Sequence, residues 1–329
     1  PRAIAEAIAG AFSPGEHFRK LEVAGGGYLN AFLKRNIFLR RWLTDGREPG
    51  ESIPGKIIVE HTNINPNKAA HIGHLRNAVL GDTLVLYLRQ LGHQVEVQNY
   101  IDDTGVQVAD LVVGFRCIRN LDPAEVEQRY SEERLQADGV RFDYLSWDLY
   151  AEVTRWYEED EGRLRERTAT LHAMEEGGNP VAGLAAFIAR RMVKHHLHTM
   201  HRLGIAYDVL PRESDILALK FWEDAFGLLQ HSKAIHKVEG GKNDGCWVMD
   251  LHGAEEGSGE DQKVIVRSNG TVTYVGKDIA YQMWKFGLLH RDFHYRRLDW
   301  SPGEPLYPAW SSCSDEGDAG HPEFGKGHT

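Results

Sequence analysis

The sequence predicts an α/β protein: a Rossmann-like parallel sheet interrupted by a helical insertion, with a small α+β segment ahead of it. Three observations carry this. A short β-branched run, a helix-period segment and an alternating run follow one another from Lys56 to Tyr100, a βαβ unit in ~45 residues. Residues 119–204 then turn dense in Glu, Arg and helical periodicity. From Tyr207 short apolar runs return.

Taken in order, residues 1–10 read as helix, with Ala3, Ile4, Ala7 and Ile8 at helical spacing. Leu21–Val23 and the following Gly25-Gly26-Gly27 suggest a strand ending in a turn, and Leu29–Leu43 a second helix with Arg35, Arg40 and Arg41 on its wet side. Thr44–Gly55, rich in Pro and Gly, reads as a linker. Lys56–Glu60 has the look of a buried parallel strand, and a polar loop, Thr62–Lys68, follows it. A helix is expected from about His71 to Leu91, ended by Gly92, and a strand over His93–Tyr100. Further strands are expected at Tyr207–Leu210, Trp247–Leu251, Val264–Arg267 and Val272–Val275, and a last helix from about Gly276 to Leu289. The implied organisation is 1–49, the α+β segment; 50–118, the first half of the sheet domain; 119–204, the insertion; and 205–329, the second half.

The chain has 329 residues, large enough for two or three domains. Lys and Arg number 38 against 48 Asp and Glu, a net charge of −10, which argues against non-specific coating of nucleic acid while leaving room for a local basic face. No run approaches ~20 uninterrupted apolar residues, so no membrane span is expected. Cys117, Cys246 and Cys313 are odd in number and far apart, which suits a reducing, cytoplasmic setting and offers no CxxC site.

The chemistry concentrates in Val59–Arg76, VEHTNINPNKAAHIGHLR. A buried strand runs into a loop and then into a helix whose start carries His71-Ile72-Gly73-His74. This places two imidazoles at i and i+3 beside unpaired backbone N–H groups, with Gly73 admitting a bulky planar group. Such a helix start at the C-terminal edge of an open sheet is an anion site, and a nucleotide phosphate is its natural guest. Asn63, Asn65, Asn67 and Lys68 add amides and an ammonium, and the strand ends in a carboxylate, Glu60. A carboxylate ending an apolar strand is expensive unless it has work to do.

HIGH after a strand resembles the signature of class I aminoacyl-tRNA synthetases and related adenylyl-transferring enzymes. The longer string, VEHTNINPNKAAHIGHLRNAVLGDTL, is similar to the arginyl-tRNA synthetase pattern. Asn99–Gln107 (NYIDDTGVQ), Arg212-Glu213-Ser214, Val266–Ala280 and His321–Gly325 resemble further segments of that family in the same order. The resemblance spans roughly residues 20–325. It implies activation of L-arginine by ATP, with Mg²⁺ accompanying the nucleotide, and transfer to tRNA(Arg), with no DNA or membrane partner and a monomeric chain. His71 and His74 would hold the phosphates, Lys68 would add charge beside them, and Gly73, Gly105 and Gln107 would line the nucleotide. Glu60, Tyr274 and Asp278 would receive the arginine side chain, and Asn65 its α-amino group. Tyr28 and Asn30 match the first domain's contact with the tRNA.

Two departures stand out. The family's KMSKS motif and helical anticodon-binding domain are not in these residues, so the chain reads as a fragment, inactive alone. The other readings are a different HIGH-motif synthetase or adenylyltransferase and a non-catalytic tRNA- or protein-binding relative. The missing zinc-ligand cysteines count against a cysteine-specific enzyme, and the intact His71, His74, Lys68 and Asp278 set against a dead relative. The Lys194–His198 cluster with His201 could suggest a metal. It reads instead as a polar helix face, because no Cys or carboxylate recurs at ligand spacing.

Overall fold

The structure is a computed structural model that describes residues 1–44, 54–250, 262–270, 272–298 and 309–327. The chain divides into two compact units, Pro1–Ser52 and Ile53–Thr329.

In the first unit α1 (Arg2–Ala11) precedes a hairpin of β1 (Phe18–Ala24) and β2 (Tyr28–Leu33), followed by α2 (Arg35–Thr44). The hairpin corrects the helix expected over Leu29–Leu43. Gly25 and Gly27, at φ 53° and 132°, turn the chain back on itself. Residues 28–33 therefore pair antiparallel with β1, from Ala24↔Tyr28 to Phe18↔Leu33. The left-handed turn makes a partner strand available before a helix can nucleate, and helix begins only at Arg35. Most of the expected linker, residues 45–53, lies outside the described residues.

The second unit opens with β3 (Lys56–Glu60), α3 (Ile72–Gln90) and β4 (Gln94–Gln98). Ile57 and Val59 point into the core, and Gly92, at φ 88°, turns the chain from helix to strand. A run of helices follows: α4 (Val106–Val113), continued by a π-turn to Ile118, α5 (Pro123–Arg129), α6 (Glu132–Asp138), α7 (Phe142–Glu159), α8 (Leu164–Glu176) and α9 (Pro180–His201). Asn179 caps α9 by accepting from the Ala182 N–H at 3.0 Å, and Pro180 sits at the first helical position, where its missing N–H costs nothing. The chain continues through β5 (Val209–Leu210), α10 (Glu213–Ala218), α11 (Phe221–His231), β6 (His236–Lys237), β7 (Trp247–Asp250), β8 (Gln262–Val266), α12 (Tyr274–Lys285), β9 (His294–Arg297) and β10 (Trp310–Cys313).

The central sheet has the order β3-β4-β5-β10-β9, parallel except for β9, which pairs antiparallel with β10 at the edge. A separate antiparallel sheet has the order β6-β7-β8. The strand expected at Val272–Val275 is instead a helix start. Thr273 is the N-cap of α12, and its hydroxyl donates to the Val264 carbonyl at 2.9 Å, which turns the chain away from β8 after one bridge at Val272. Leu251 lies outside the described residues.

The helices between β4 and β5 have their own core, in which Leu111, Phe115, Phe142, Leu149, Leu184, Ile188 and Met192 meet. It recruits α4, so it begins ahead of residue 119. The last half of α9 leaves it: Val193, Leu197 and Met200 pack under β3, α3 and β4. One helix thus belongs to both cores.

Helix α3 lies against the end of β3 through one bare position. A Cβ at Gly81 would overlap the Cβ and Cγ of His61. Gly81→Ala should gain about 1 kcal/mol of helix propensity and lose more to overpacking, on the order of 1–3 kcal/mol. We expect a lower midpoint in chemical denaturation, recovered when His61→Ala is added; an unchanged midpoint for Gly81→Ala would show that this contact does not fix the helix.

Candidate active site

The site is built where β3 leaves the sheet. His61 continues the parallel ladder, its N–H donating to the Gln98 carbonyl at 3.1 Å. The next two residues, Thr62 and Asn63, have φ of 77° and 44°. Left-handed backbone is rare for a β-branched residue and costs on the order of 1–3 kcal/mol, so the surroundings must impose it. They do so with side chains. The Thr62 hydroxyl meets the Tyr207 hydroxyl at 2.7 Å and His61 Nδ1 at 3.0 Å. The Asn63 N–H donates to Asn99 Oδ1 at 3.0 Å, and Asn63 Oδ1 accepts from the Tyr100 N–H at 2.9 Å. Asn63 Nδ2 donates to Glu60 Oε1.

Beyond this corner the loop carries half-buried Asn65 and Lys68 to the start of α3. His71 is the N-cap: its Nδ1 accepts from the Gly73 N–H at 3.1 Å, while its own N–H donates to His74 Nδ1 at 3.2 Å. The two rings stack, centroids 3.7 Å apart. With both Nδ1 lone pairs used, the proton of each neutral ring sits on Nε2, a donor at a helix start already rich in N–H groups. Burial, with the charges of His71 and Lys68, lowers His74 to about 4, so it is neutral at pH 7. A Cβ at Gly73 would press on the His71 ring at 3.1 Å.

Two contacts on this loop come from the helices between β4 and β5, and neither was singled out in the sequence for this place. Trp147 of α7 lies 6.1 Å from the His71 ring, with Lys68 Nζ 5.9 Å from its own ring. His196 of α9 is buried, and its Nε2–H donates to the Lys68 carbonyl at 2.8 Å. The Lys194–His201 stretch is therefore not a wholly polar face: the helical period turns His196 inward, and His195 stands near Asp143 at 3.9 Å. Trp147 carried no signal in the sequence; His196 carried one, misread as surface.

An acidic cluster stands at the C-terminal ends of β3, β4 and β5. Glu213 accepts from Tyr100 at 3.0 Å and from Thr104, and pairs with Lys277 at 2.6 Å. Asp103 accepts from the Ser214 N–H and hydroxyl at 2.9 and 2.7 Å. Asp102 is pushed up to about 6, by burial first and then by Glu213 and Asp103, and its Oδ1 has no hydrogen-bond partner among the described residues. Gly105, the N-cap of α4, explains itself here: a Cβ would sit 2.6 Å from Asp102 Oδ1. Gln107 is half-buried in the first turn of α4.

Helix α12 supplies the remaining side. Tyr274, Asp278, Tyr281 and Lys285 fall on one face by spacing. Lys285 forms an ion pair with Glu60 Oε2, and Tyr281 donates to Gln98 and lies against the Tyr100 ring. Asp278 is solvent-facing, and its carboxyl is raised by partial burial and by the charges of Glu213 and Glu60. Glu60 and Asp278, distant in sequence, thus share one electrostatic neighbourhood. Tyr274 is 72% exposed, so these three do not form a closed cavity. Tyr28 and Asn30 are exposed on one face of β2 in the first unit.

A parallel sheet whose first strand feeds a histidine-capped helix, interrupted by helices between its second and third strands, defines a class I synthetase catalytic fold of Rossmann type. Comparison with known proteins narrows this. The family model for class I tRNA synthetases (R), catalytic domain, matches residues 43–295, and that for the arginyl-tRNA synthetase N-terminal domain matches residues 1–33. The chain belongs to the arginyl-tRNA synthetase family. It is 38% identical to an arginine–tRNA ligase of Thermococcus kodakarensis over 91% of this chain and 47% of that protein, and 35% identical to one of Thermus thermophilus over 98% and 50%. The solved arginyl-tRNA synthetase of Thermus thermophilus superposes with a TM-score of 0.68 at 32% identity, over 96% of this chain and 49% of that one. The chain spans about half the length of the curated relatives it matches.

Burial lowers His196, like His74, to about 4. An imidazole that protonates near 6.5 when unfolded and near 4 when folded gives stability that is full above pH 6.5 and lost as pH falls to about 4. Asp102, raised, acts with the opposite sign. We therefore expect the difference in thermal midpoint between the protein and His196→Gln to narrow from pH 7 to pH 4.5. A difference independent of pH would mean that His196 is not buried neutral.

Proposed function

We propose that the protein activates L-arginine with ATP to arginyl-adenylate and passes the arginyl group to the 3′ end of tRNA(Arg). The observation that carries this is the pairing of two opposite environments at one sheet edge: an anion-binding helix start with imidazole donors, and a carboxylate cluster with raised proton affinity.

In the first step the arginine carboxylate attacks the α-phosphorus and pyrophosphate leaves. That chemistry needs alignment and charge stabilisation rather than a protein nucleophile. The Nε2–H groups of His71 and His74, the N–H groups around Gly73 and the Lys68 ammonium are read as donors to the phosphates, strongest where charge develops. Gly105 and Gln107 would flank the ribose and the amino acid. Mg²⁺ is read as the triphosphate's companion, the usual place of a cation that keeps several waters and binds substrate phosphates. Asn65 would take the α-amino group. A guanidinium presents five donors in a planar fork and needs carboxylate or hydroxyl acceptors for them. Glu60, Asp278 and the Tyr274 hydroxyl are read as those acceptors. A cationic ligand would also offset the burial and the nearby charge of Glu213 that raise Asp278 and Asp102. Tyr28 and Asn30, exposed at i and i+2, would stack on and hydrogen-bond to tRNA bases.

Two substitutions test this in the protein at its natural length. His74→Ala should lower kcat on the order of 10²-fold with a smaller change in arginine KM, because the contact strengthens in the transition state. An unchanged kcat would reduce His74 to a helix cap. Asp278→Asn should weaken arginine by ~1.5–3 kcal/mol, the range for hydrogen bonds to a charged group, while leaving ATP affinity nearly intact. Unaltered arginine binding in a calorimetric titration would remove Asp278 from the pocket.

A further inference from the structure

We propose that Lys285 is a positioning residue of the guanidinium site: its buried ammonium fixes the Glu60 carboxylate from the core side, so that Glu60 meets the substrate as a preset acceptor. This rests on the arginine reading above and assigns a specificity role to a residue that touches no substrate.

Lys285 ends α12 and is 6% exposed, although lysine is seldom buried without a partner. Its ammonium pairs with Glu60 Oε2 and lies 4.2 Å from the centre of the Tyr281 ring. That ring is itself held, its hydroxyl on Gln98 and its face against Tyr100. The other Glu60 oxygen, Oε1, accepts from Asn63, which the strained corner anchors to Asn99 and Tyr100. Each carboxylate oxygen therefore spends one acceptor position on the protein. An ionised carboxylate has about four such positions, so a pair remains for a planar fork.

The geometry also says that the lysine supports the site and does not occupy it. The Lys285 side chain is 8% exposed and that of Glu60 23%, so the cation approaches from the interior and leaves the open side of the carboxylate free. Its charge acts on Asp278 as well, against those of Glu60 and Glu213, while Lys277 offsets Glu213. A single ammonium thus offsets the charge on Asp278 and holds Glu60 still.

The test measures arginine and ATP affinity by calorimetry in the protein at its natural length. Lys285→Met should weaken arginine about tenfold or more and change ATP by less than about twofold, and Lys285→Arg should recover most of the loss. Because Lys285 acts through Glu60, the double variant Glu60→Gln/Lys285→Met should bind arginine no more weakly than Glu60→Gln alone. That last comparison stands even if Lys285→Met does not fold, since the double variant removes both buried charges. Equal losses of arginine and ATP, unchanged arginine binding, or additive effects of the two substitutions would each overturn the proposal. An unaltered protein that binds ATP and not arginine would instead sink the arginine reading, and this proposal with it.

Discussion

The corner at Thr62 and Asn63 is the constraint on which the rest of the site depends. A parallel strand must leave the sheet and reverse into a helix while its last carboxylate stays at the sheet edge. Two consecutive non-glycine residues accomplish this in left-handed backbone. Each such residue costs on the order of 1–3 kcal/mol, and each of the hydrogen bonds that hold them returns roughly 1 kcal/mol, so the corner persists only as a network. Its members come from β3, the end of β4 and the segment leading into β5: Glu60, Asn99, Tyr100 and Tyr207. Glu60 lies just before the corner, and Asn65, Lys68 and the histidine pair lie just after it. Moving the corner would move both halves of the site.

The helices between β4 and β5 act on that loop directly. Helix α9 has one end in the helical core and the other beneath the sheet, and between them His196 holds the Lys68 carbonyl. Helix α7 sets Trp147 against both His71 and Lys68. Packed interiors transmit displacement poorly absorbed by soft contacts. A shift of α7 or α9 would therefore be felt at the start of α3.

The acid side stores electrostatic free energy. Asp102, Asp103 and Asp278 are all raised, chiefly by burial and by one another's neighbour Glu213, with Lys277 and Arg212 opposing. The cluster is held together by hydrogen bonds from Tyr100, Thr104 and Ser214. It favours any ligand that brings positive charge in a form that many acceptors can share.

Local pattern was enough for β3, α3 and β4, because each is defined by its own run: Lys56–Glu60 by β-branched residues, α3 by helical period and Gly92, β4 by alternation. It was enough to single out His71, His74, Glu60 and Asp278 as candidates, because the motif strings are contiguous. It failed where a partner distant in sequence decides the outcome. Residues 28–33 became a strand since β1 stood ready to pair with them, and Thr273 began a helix since its hydroxyl found the Val264 carbonyl. His196 turned inward because α9 runs under the sheet. Contiguous motifs and local periodicity carried the family and the βαβ frame. Packing alone brought Lys285 to Glu60 and set Trp147 and His196 against the loop before α3, and it left Asp102 Oδ1 with no hydrogen-bond partner among the described residues. Those are properties of distance and desolvation, and no periodicity encodes them.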